Sequence, residues 1–253
     1  MKSKIEIIPV PISSDIRPGD NLDLIILDSM KKANEFLSEG DIVIVAQKVV
    51  SKAEGRLIDL KLVNPSERSL QIAKQYDKDP RLIELILNES VDVLRLTRGM
   101  LIVETKRGLI CANAGVDQSN VEESNDYAVL LPEDADSSAR KLRHSFKIKT
   151  GVDVAVIITD TFGRPFREGQ VNVAIGIAGI KPIKSYIGTL DMYGKKLKVT
   201  EIAVVDEIAS AAELQMGKTE RIPVIILRGY VYRMHENTSI SELLRSKEKD
   251  LFR

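Results

Sequence analysis

The sequence lacks several features that whole classes of protein require. Its one cysteine, Cys111, rules out an internal disulfide, and a reducing cytoplasm is the expected compartment. Cys111 lies in the apolar run 109–112 without an adjacent basic residue, which favours a small core residue over a reactive thiol. The two histidines, His144 and His235, stand isolated in charged surroundings, so neither is assigned a metal or catalytic role.

The chain also lacks an excess of charge of either sign and any long apolar run. Lysine plus arginine number 37, as do aspartate plus glutamate, which argues against a general nucleic-acid or polybasic membrane binder. No run approaches the roughly 20 apolar residues of a membrane span. The first residues show no signal-peptide pattern. With 43% hydrophobic and 29% charged residues, the 253 residues predict a soluble, globular protein.

A standard P-loop is missing as well. The stretch 216–219 resembles the end of that motif, but the motif requires a glycine five positions before Gly217, where Ala212 stands. It also requires a preceding strand, whereas an apolar helix is predicted there. A glycine that caps the helix is the simpler interpretation of Gly217.

The hydrophobic periodicity predicts helices and strands without a regular βαβ rhythm. Predicted strands cover residues 4–10, 41–46, 152–158 and 223–228, a three-stranded meander over 91–113 and bent strands over 170–190. Predicted helices cover residues 20–39, 66–76, 80–89, 132–149 and 200–216, and a charged helix closes the chain. We therefore expect an α+β fold that is not a Rossmann fold. Residues 1–253 are expected to form a single unit of two interlocked lobes that share one site.

Two early segments could hold a phosphate. Residues 11–15 follow the first strand and offer two hydroxyls and several loop amides, although an ordinary capped turn is the favoured alternative for this segment alone. Lys48 follows a buried strand, where ligands of α/β proteins often bind, and its ammonium could neutralise a phosphate. A solvated lysine that opens a helix is the alternative.

A third loop, residues 113–120, follows an apolar strand and is rich in small and amide residues. Asp117 would supply the oxygen ligand that hard divalent cations prefer. Asn120 could bind a nucleotide from the same turn. A glycine turn with a capping aspartate explains the segment equally well.

A fourth loop is predicted over residues 159–169, after an apolar strand. Asp160 would lie at the rim of the core, where a metal could meet both its carboxylate and the Thr161 hydroxyl. Arg164 and Arg167 add two cations within reach of phosphate or carboxylate groups. Acid, hydroxyl, glycine and two arginines together favour a functional loop over a merely solvated one.

In their order along the chain, these segments resemble the coenzyme F-420-0:L-glutamate ligase family. Each segment alone is a weak signal, but the ordered set is specific and spans nearly the whole chain. The segments that carry the resemblance are residues 11–15, 46–55, 112–117, 131–136, 160–165 and 206–214.

The resemblance implies a GTP-dependent ligase with an unusual mixed α/β fold, working as a homodimer. Such enzymes join the amine of L-glutamate to the lactyl carboxylate of coenzyme F-420-0, a deazaflavin phosphodiester, and then add a second glutamate through a γ-linkage. The implied cofactor is manganese or magnesium, with room for a second divalent ion and for potassium. An acyl phosphate is the expected intermediate.

The resemblance also implies roles for individual residues. The implied metal ligands are Asp117, Asp160, Thr161 and Gln215. The implied nucleotide contacts are Ile12, Ser13, Ser14, Asp15, Lys48, Asn120, Glu213, Leu214, Gln215, Met216, Gly217, Lys218, Thr219 and Glu220. In catalysis we expect Lys48 to stabilise developing charge, and Arg164 or Arg167 to orient a carboxylate.

Two other functions fit the same loops. A metal-dependent GTP phosphohydrolase or phosphotransferase would use them without forming an amide. A non-catalytic nucleotide-binding protein would bind GTP without consuming it.

Overall fold

The structure is a computed structural model that describes residues 4–97, 99–120 and 126–250. The strands are β1 (Glu6–Val10), β2 (Ile42–Ala46), β3 (Leu57–Asp59), β4 (Ser90–Thr97), β5 (Met100–Thr105), β6 (Ile110–Ala112), β7 (Tyr127–Val129), β8 (Ala155–Arg164), β9 (Arg167–Ile180), β10 (Ile183–Ser185), β11 (Glu201–Ala203), β12 (Val224–Arg228) and β13 (Met234–His235). The α-helices are α1 (Leu22–Lys32), α2 (Gln47–Ala53), α3 (Glu67–Tyr76), α4 (Pro80–Asn88), α5 (Ala135–Thr150) and α6 (Val204–Met216). This mixture confirms the predicted α+β class.

A six-stranded sheet forms the centre of the molecule, in the order β1-β12-β2-β8-β9-β13. Strands β2 and β8 are parallel, and the other neighbouring pairs are antiparallel. Val43 and Val45 face α1 and α5, while Ile42 and Ile44 face α6. Since both faces are covered, β2 and the first half of β8 are continuously apolar, as expected for strands buried on both sides.

The register of this sheet brings several chain segments to one edge. Val10, Val224, Val45 and Ile158 form one row across β1, β12, β2 and β8. The segment after β1, the segment before β12, the start of α2 and the last part of β8 therefore emerge side by side. The parallel pairing of β2 with β8 is decisive, because it places the carboxyl ends of both strands at the same edge.

Smaller elements lie beside the central sheet. Strands β4, β5 and β6 form a three-stranded sheet that packs with α3 and α4 around Leu101, Val103 and Ile83. Strand β3 pairs with β7, and β10 pairs with β11. Helices α3 and α4 begin close to the predicted positions, residues 66 and 80. Ser66 caps α3, and Asp79 caps α4 ahead of Pro80. The described helices include none with the length and apolar character of a membrane span. The division into two lobes remains a prediction.

The first predicted helix is too long by several residues. Helix α1 ends at Lys32, because Asn34 adopts a left-handed conformation (φ 56°) and the Glu35 amide bonds back to the Met30 carbonyl. That turn ends the helix well before Gly40. Phe36, assigned to the helix by its spacing, instead lies in the irregular segment after that turn and is 62% exposed.

Three further predictions in the second half of the chain are wrong. The predicted loop 159–169 is a β-hairpin, since β8 continues to Arg164 and pairs with β9 around a turn at Pro165 and Phe166. The predicted start of the helix at Thr200 is replaced by β11, which pairs with β10, and α6 begins only at Val204. The predicted charged helix is replaced by short 3-10 turns at Ile240–Leu243 and Lys247–Lys249. The last turn buries none of its residues, so nothing stabilises a longer helix there.

The contact between β9 and α5 generates a test of this packing. A Cβ added at Gly176 would lie 2.5 Å from the Ala135 Cβ, whereas one added at Gly163 would meet nothing within 4 Å. We expect Gly176→Ala to lower the free energy of unfolding by about 1–3 kcal/mol, since overpacking forces the backbones apart. Gly163→Ala is the matched control in the same hairpin. Urea denaturation measures both, and equal midpoints for the two variants would contradict this packing.

Candidate metal and nucleotide site at the sheet edge

A lysine and an aspartate from distant segments meet at the sheet edge. The Lys48 ammonium lies in the first turn of α2 and contacts Asp117 Oδ2 at 2.9 Å. It also donates to the carbonyl of Ser119 at 2.5 Å and to its hydroxyl at 3.1 Å. Lys48 therefore lies at the start of a helix, as the alternative to a phosphate-binding lysine held. Its ammonium is not simply solvated, because it forms an ion pair with Asp117.

The backbone before Asp117 is strained. Asn113, Ala114 and Gly115 all have positive φ (54°, 53° and 70°), which is uncommon for the first two residue types. A Cβ at Gly115 would lie 2.6 Å from the Leu131 side chain, so glycine is required there. After this turn, Asp117 exchanges two backbone hydrogen bonds with Val129. The carboxylate is thus held at a defined place, and strain of this kind is concentrated at functional sites.

The two aspartates at the edge differ in acidity. Burial raises the pKa of Asp117, but hydrogen bonds from Ser119 and the Lys48 ammonium outweigh it and hold that pKa below its usual value. Burial raises the pKa of Asp160 to about 6, and the negative charge of Asp117 adds to the rise. Lys48 and Lys218 oppose it. The charges of Asp117, Lys48 and Lys218 therefore all act on the Asp160 carboxylate.

Thr161 faces the other side of β8. Neighbouring strand residues point to opposite faces, and the Thr161 hydroxyl donates to Asn172 Oδ1 at 2.6 Å and accepts from Lys218 Nζ at 2.8 Å. Lys218 also pairs with Glu213 at 2.7 Å, and Asn172 Nδ2 donates to Glu213 at 2.8 Å. The hydroxyl is thus engaged by Asn172 on β9 and by Lys218, which follows α6, and its role as a metal ligand stays a prediction.

The predicted nucleotide segments also adjoin one another. The Ile12 amide donates to the Arg221 carbonyl, and the Arg221 guanidinium donates to the Ser13 carbonyl at 2.8 Å and pairs with Asp15 at 3.5 Å. Asn120 Nδ2 donates to the Lys218 carbonyl at 3.2 Å. A chain of contacts therefore runs from residues 12–15 through 218–221 to Asn120 and Thr161.

Other predicted site residues lie outside this network. Leu214 and Gln215 are exposed on the last turn of α6, and none of the described contacts joins Gln215 to either aspartate. Met216, the last residue of α6, is the exception, because it is buried in the core and its sulfur accepts a hydrogen bond from Asn172 Nδ2 at 3.9 Å. Arg164 and Arg167 pair across the end of the β8–β9 hairpin, beyond Asp160.

Sequence reasoning missed several polar residues of the site. Asn172 is buried and links Thr161 to Glu213, yet in sequence it is one amide in a run of glycine and β-branched residues. Its only signal is its position opposite Thr161, which requires the register of β8 with β9. Ser119 and Arg221 are recognisable only once the loops are folded together. Lys52, which donates to the Asn120 carbonyl at 3.2 Å, is another such residue.

The donor chemistry fits a hard divalent cation that binds together with phosphate. In the described ranges, no three side chains of His, Cys, Asp or Glu are grouped so that they could hold a metal ion. Magnesium sites of the kinase type need only one or two carboxylates, because substrate phosphates and waters complete the shell. Asp117 and Asp160 supply such a pair. Cys111 is unsuited to this chemistry, since burial raises the pKa of its thiol to about 12, and its burial confirms the predicted core role.

The chain is similar to proteins that are named for the ligation of glutamate. The sequence model of the family described as "F420-0:Gamma-glutamyl ligase" matches residues 12–229. The "Coenzyme F420:L-glutamate ligase" of Methanothermobacter thermautotrophicus is 44% identical over 237 residues, which cover 93% of each chain. The protein of that name from Methanopyrus kandleri is 44% identical over 253 residues, or 98% of each chain. That from Methanocaldococcus jannaschii is 38% identical over 253 residues, covering 100% of this chain and 98% of its own.

The partly buried carboxylate of Asp160 generates a stability prediction. Its pKa is raised from 3.8 to about 6, so its ionisation at pH 7 costs more in the folded chain than in the unfolded one. We expect Asp160→Asn to raise the free energy of unfolding of the metal-free protein by about 1–2 kcal/mol at pH 7, which is less than the roughly 3 kcal/mol that two pKa units represent, because the side chain is partly exposed to solvent. Because the folded pKa lies above the unfolded one, the gain should fade as the pH falls from 7 to below 4.

Urea denaturation with a chelator present, at several pH values, measures this effect. Asp28→Asn, on the exposed side of α1, is the matched control and should change little. A less stable Asp160→Asn at pH 7 would show that the charged carboxylate is compensated in the folded chain.

Proposed function

Since the chain belongs to the F-420-0:gamma-glutamyl ligase family, we propose that it uses GTP to join L-glutamate to the lactyl carboxylate of coenzyme F-420-0. A further glutamate is then added through a γ-linkage. Ligation of glutamate follows from the family and from the names of its relatives. The use of GTP, the acyl-phosphate route, a manganese or magnesium cofactor with potassium, the homodimer and the cytoplasmic location belong to this proposal.

One observation carries the assignment of the chemistry to the sheet edge. The shared register of β1, β12, β2 and β8 brings Lys48, Asp117, Asp160 and the predicted nucleotide segments to the same place. A ligase that activates a carboxylate by phosphorylation needs phosphate-binding and metal-binding groups beside each other. The carboxylates, lysines and loop amides at this edge are suited to both tasks.

The triphosphate would lie between residues 12–15 and residues 213–220, which Arg221 already holds together. Loop amides and the hydroxyls of Ser13 and Ser14 are suitable donors to phosphate oxygens. Lys218 adds an ammonium at the side of the network nearest Thr161. Asn120 connects this segment to the turn that carries Asp117.

Asp117 and Asp160 would hold the divalent cation, and a bound cation screens the charge of the transferring phosphate. In the first step an oxygen of the lactyl carboxylate attacks the γ-phosphorus of GTP and GDP leaves. In the second step the glutamate amine attacks the acyl carbon, inorganic phosphate leaves and the amine loses a proton. Lys48 would stabilise the negative charge between donor and acceptor in the first step.

The test of this proposal is mass spectrometry of the deazaflavin precursor after incubation with GTP, glutamate and manganese. We expect the mass to rise by glutamyl units and phosphate release from GTP to depend on glutamate and precursor. Phosphate release without a change in mass would identify a phosphohydrolase instead. GTP binding without phosphate release would identify a non-catalytic nucleotide-binding protein.

The role of the two aspartates is tested by variants of equal size. We expect Asp117→Asn and Asp160→Asn each to lower turnover at least a hundredfold, about 3 kcal/mol of transition-state stabilisation. Manganese with GDP should raise the melting temperature of the wild-type chain and of Asp28→Asn, but not of either site variant. Normal turnover of Asp160→Asn at saturating manganese would remove that residue from the metal site.

A further inference from the structure

A buried asparagine lies behind the polar residues of the sheet edge. Asn172 is 3% exposed and stands on β9 directly opposite Thr161. Its backbone carbonyl accepts a hydrogen bond from the Ser210 hydroxyl at 2.8 Å, which ties α6 to this point of the strand. The next residue on the same face of β9, Ala174, packs in the apolar core under α6. An apolar residue would thus be expected at position 172, and the amide needs another explanation.

The side chain of Asn172 belongs to a closed ring of four polar side chains. Its Oδ1 accepts from the Thr161 hydroxyl at 2.6 Å, and its Nδ2 donates to Glu213 Oε2 at 2.8 Å. The Lys218 ammonium closes the ring, because it donates to the same hydroxyl at 2.8 Å and pairs with Glu213 Oε1 at 2.7 Å. Both groups that hold the ammonium are therefore held in turn by one buried amide.

The direction of each hydrogen bond in this ring follows from the ammonium. An ammonium can only donate, so the Thr161 oxygen accepts from Lys218 and gives its own proton to Asn172. The amide oxygen therefore faces Thr161, and the amide NH2 group is left for the Glu213 carboxylate, which can only accept. Asparagine suits this place because it offers an acceptor and a donor at once. Leucine, of similar size, offers neither.

The ring leaves the Lys218 ammonium able to meet a further anion. An ammonium has three N–H donors, and the described contacts account for two of them. The Lys218 side chain is 59% exposed, that of Glu213 is 25% exposed, and Thr161 is partly buried. The groups that hold the ammonium are thus more buried than the lysine itself. Since a flexible side chain loses entropy when a ligand orders it, prior ordering favours ligand binding.

Packing alone does not account for this ring. Well-packed apolar side chains of similar volume often stabilise a buried site as well as paired charges do. What the ring adds is a defined position for one ammonium at the end of an otherwise flexible chain of methylenes. That ammonium belongs to the segment 213–220, for which nucleotide contacts are expected.

We propose that Asn172 is a positioning residue, which holds the Lys218 ammonium through Thr161 and Glu213 at the place where a phosphate of GTP enters. The inference rests on the proposed function, because it takes GTP as the nucleotide and residues 213–220 as part of its site. Asn172 touches neither the nucleotide nor the reacting atoms, since it is buried behind its two partners. When phosphate arrives, Lys218 can leave Glu213 for it, and the amide still donates to the Glu213 carboxylate.

A double-mutant cycle on nucleotide affinity tests this role. Calorimetric titration with GDP and manganese measures binding without turnover. We expect Lys218→Met to weaken GDP binding on the order of tenfold and Asn172→Leu about fivefold, because the ammonium is lost in one variant and misplaced in the other. Since Asn172 acts through Lys218, the double variant should bind GDP at most about twofold more weakly than Lys218→Met alone.

A second variant and a control separate positioning from folding. Serine at position 172 is too short to reach both Thr161 and Glu213, so Asn172→Ser should show the same losses even where the leucine variant does not fold. Ser69→Ala is the matched control, since Ser69 is fully buried and none of its described hydrogen bonds reaches the sheet edge. It should unfold at a lower urea concentration than wild type but bind GDP like wild type.

The possible outcomes distinguish this inference from the proposed function. An equal loss of GDP affinity from Asn172→Ser in the wild-type and Lys218→Met backgrounds would show that the amide does not act through the ammonium, and would overturn the inference. Unchanged GDP affinity in Lys218→Met, or in Asn172→Ser, would overturn it as well. The proposed function would stand in each of these cases. Failure of the wild-type chain to bind GTP or GDP with manganese would instead overturn the proposed function, and the inference with it.

Discussion

The parallel pairing of β2 with β8 is the constraint on which the candidate site depends. It aligns the carboxyl ends of two strands, so that Lys48 and Asp160 leave the sheet on the same side. The antiparallel strands β12 and β1 continue the row of residues that joins Val45 to Ile158. Residue 221 and residues 11–15 therefore reach the same edge. A shift of any one strand by two residues would preserve its buried faces but disperse the site.

The charges at this edge balance one another before any ligand binds. Lys48 neutralises Asp117, and Lys218 neutralises Glu213 while it contacts Thr161. Asp160 is left as a partly buried acid whose pKa is raised to about 6, so that its ionisation is less favourable than that of an exposed aspartate. In the proposed complex a divalent cation and a triphosphate would add charges of both signs. The lysines would then pair with phosphate instead of carboxylate, and no charge would be left uncompensated. Such an arrangement keeps the edge polar and ordered while remaining open to exchange.

The sequence allowed the α+β class, the approximate starts of α3 and α4 and most strands to be predicted, because these follow from local periodicity and end signals. The prediction of a loop at residues 159–169 was wrong. Gly163, Pro165 and Gly169 suggest a loop there, but pairing with β9 extends strand β8. Local signals cannot reveal a long-range partner. The same limit hid Asn172 and Arg221, whose roles exist only after distant segments meet. The aspartates were accessible because each lies in a polar segment that comes soon after an apolar strand.

The alternation of side chains along β8 has a consequence for how this family can vary. Asp160 and Thr161 are adjacent in sequence yet serve opposite faces of the sheet, one toward Asp117 and the other toward α6. Inserting or deleting one residue between Ile158 and Thr161 would turn the two side chains to the opposite faces of the sheet and so exchange their environments. Length changes should therefore be excluded from this stretch over evolutionary time, whereas the turn at Pro165 could accept them. The hairpin would diverge from its tip inward while the inner part stayed unchanged.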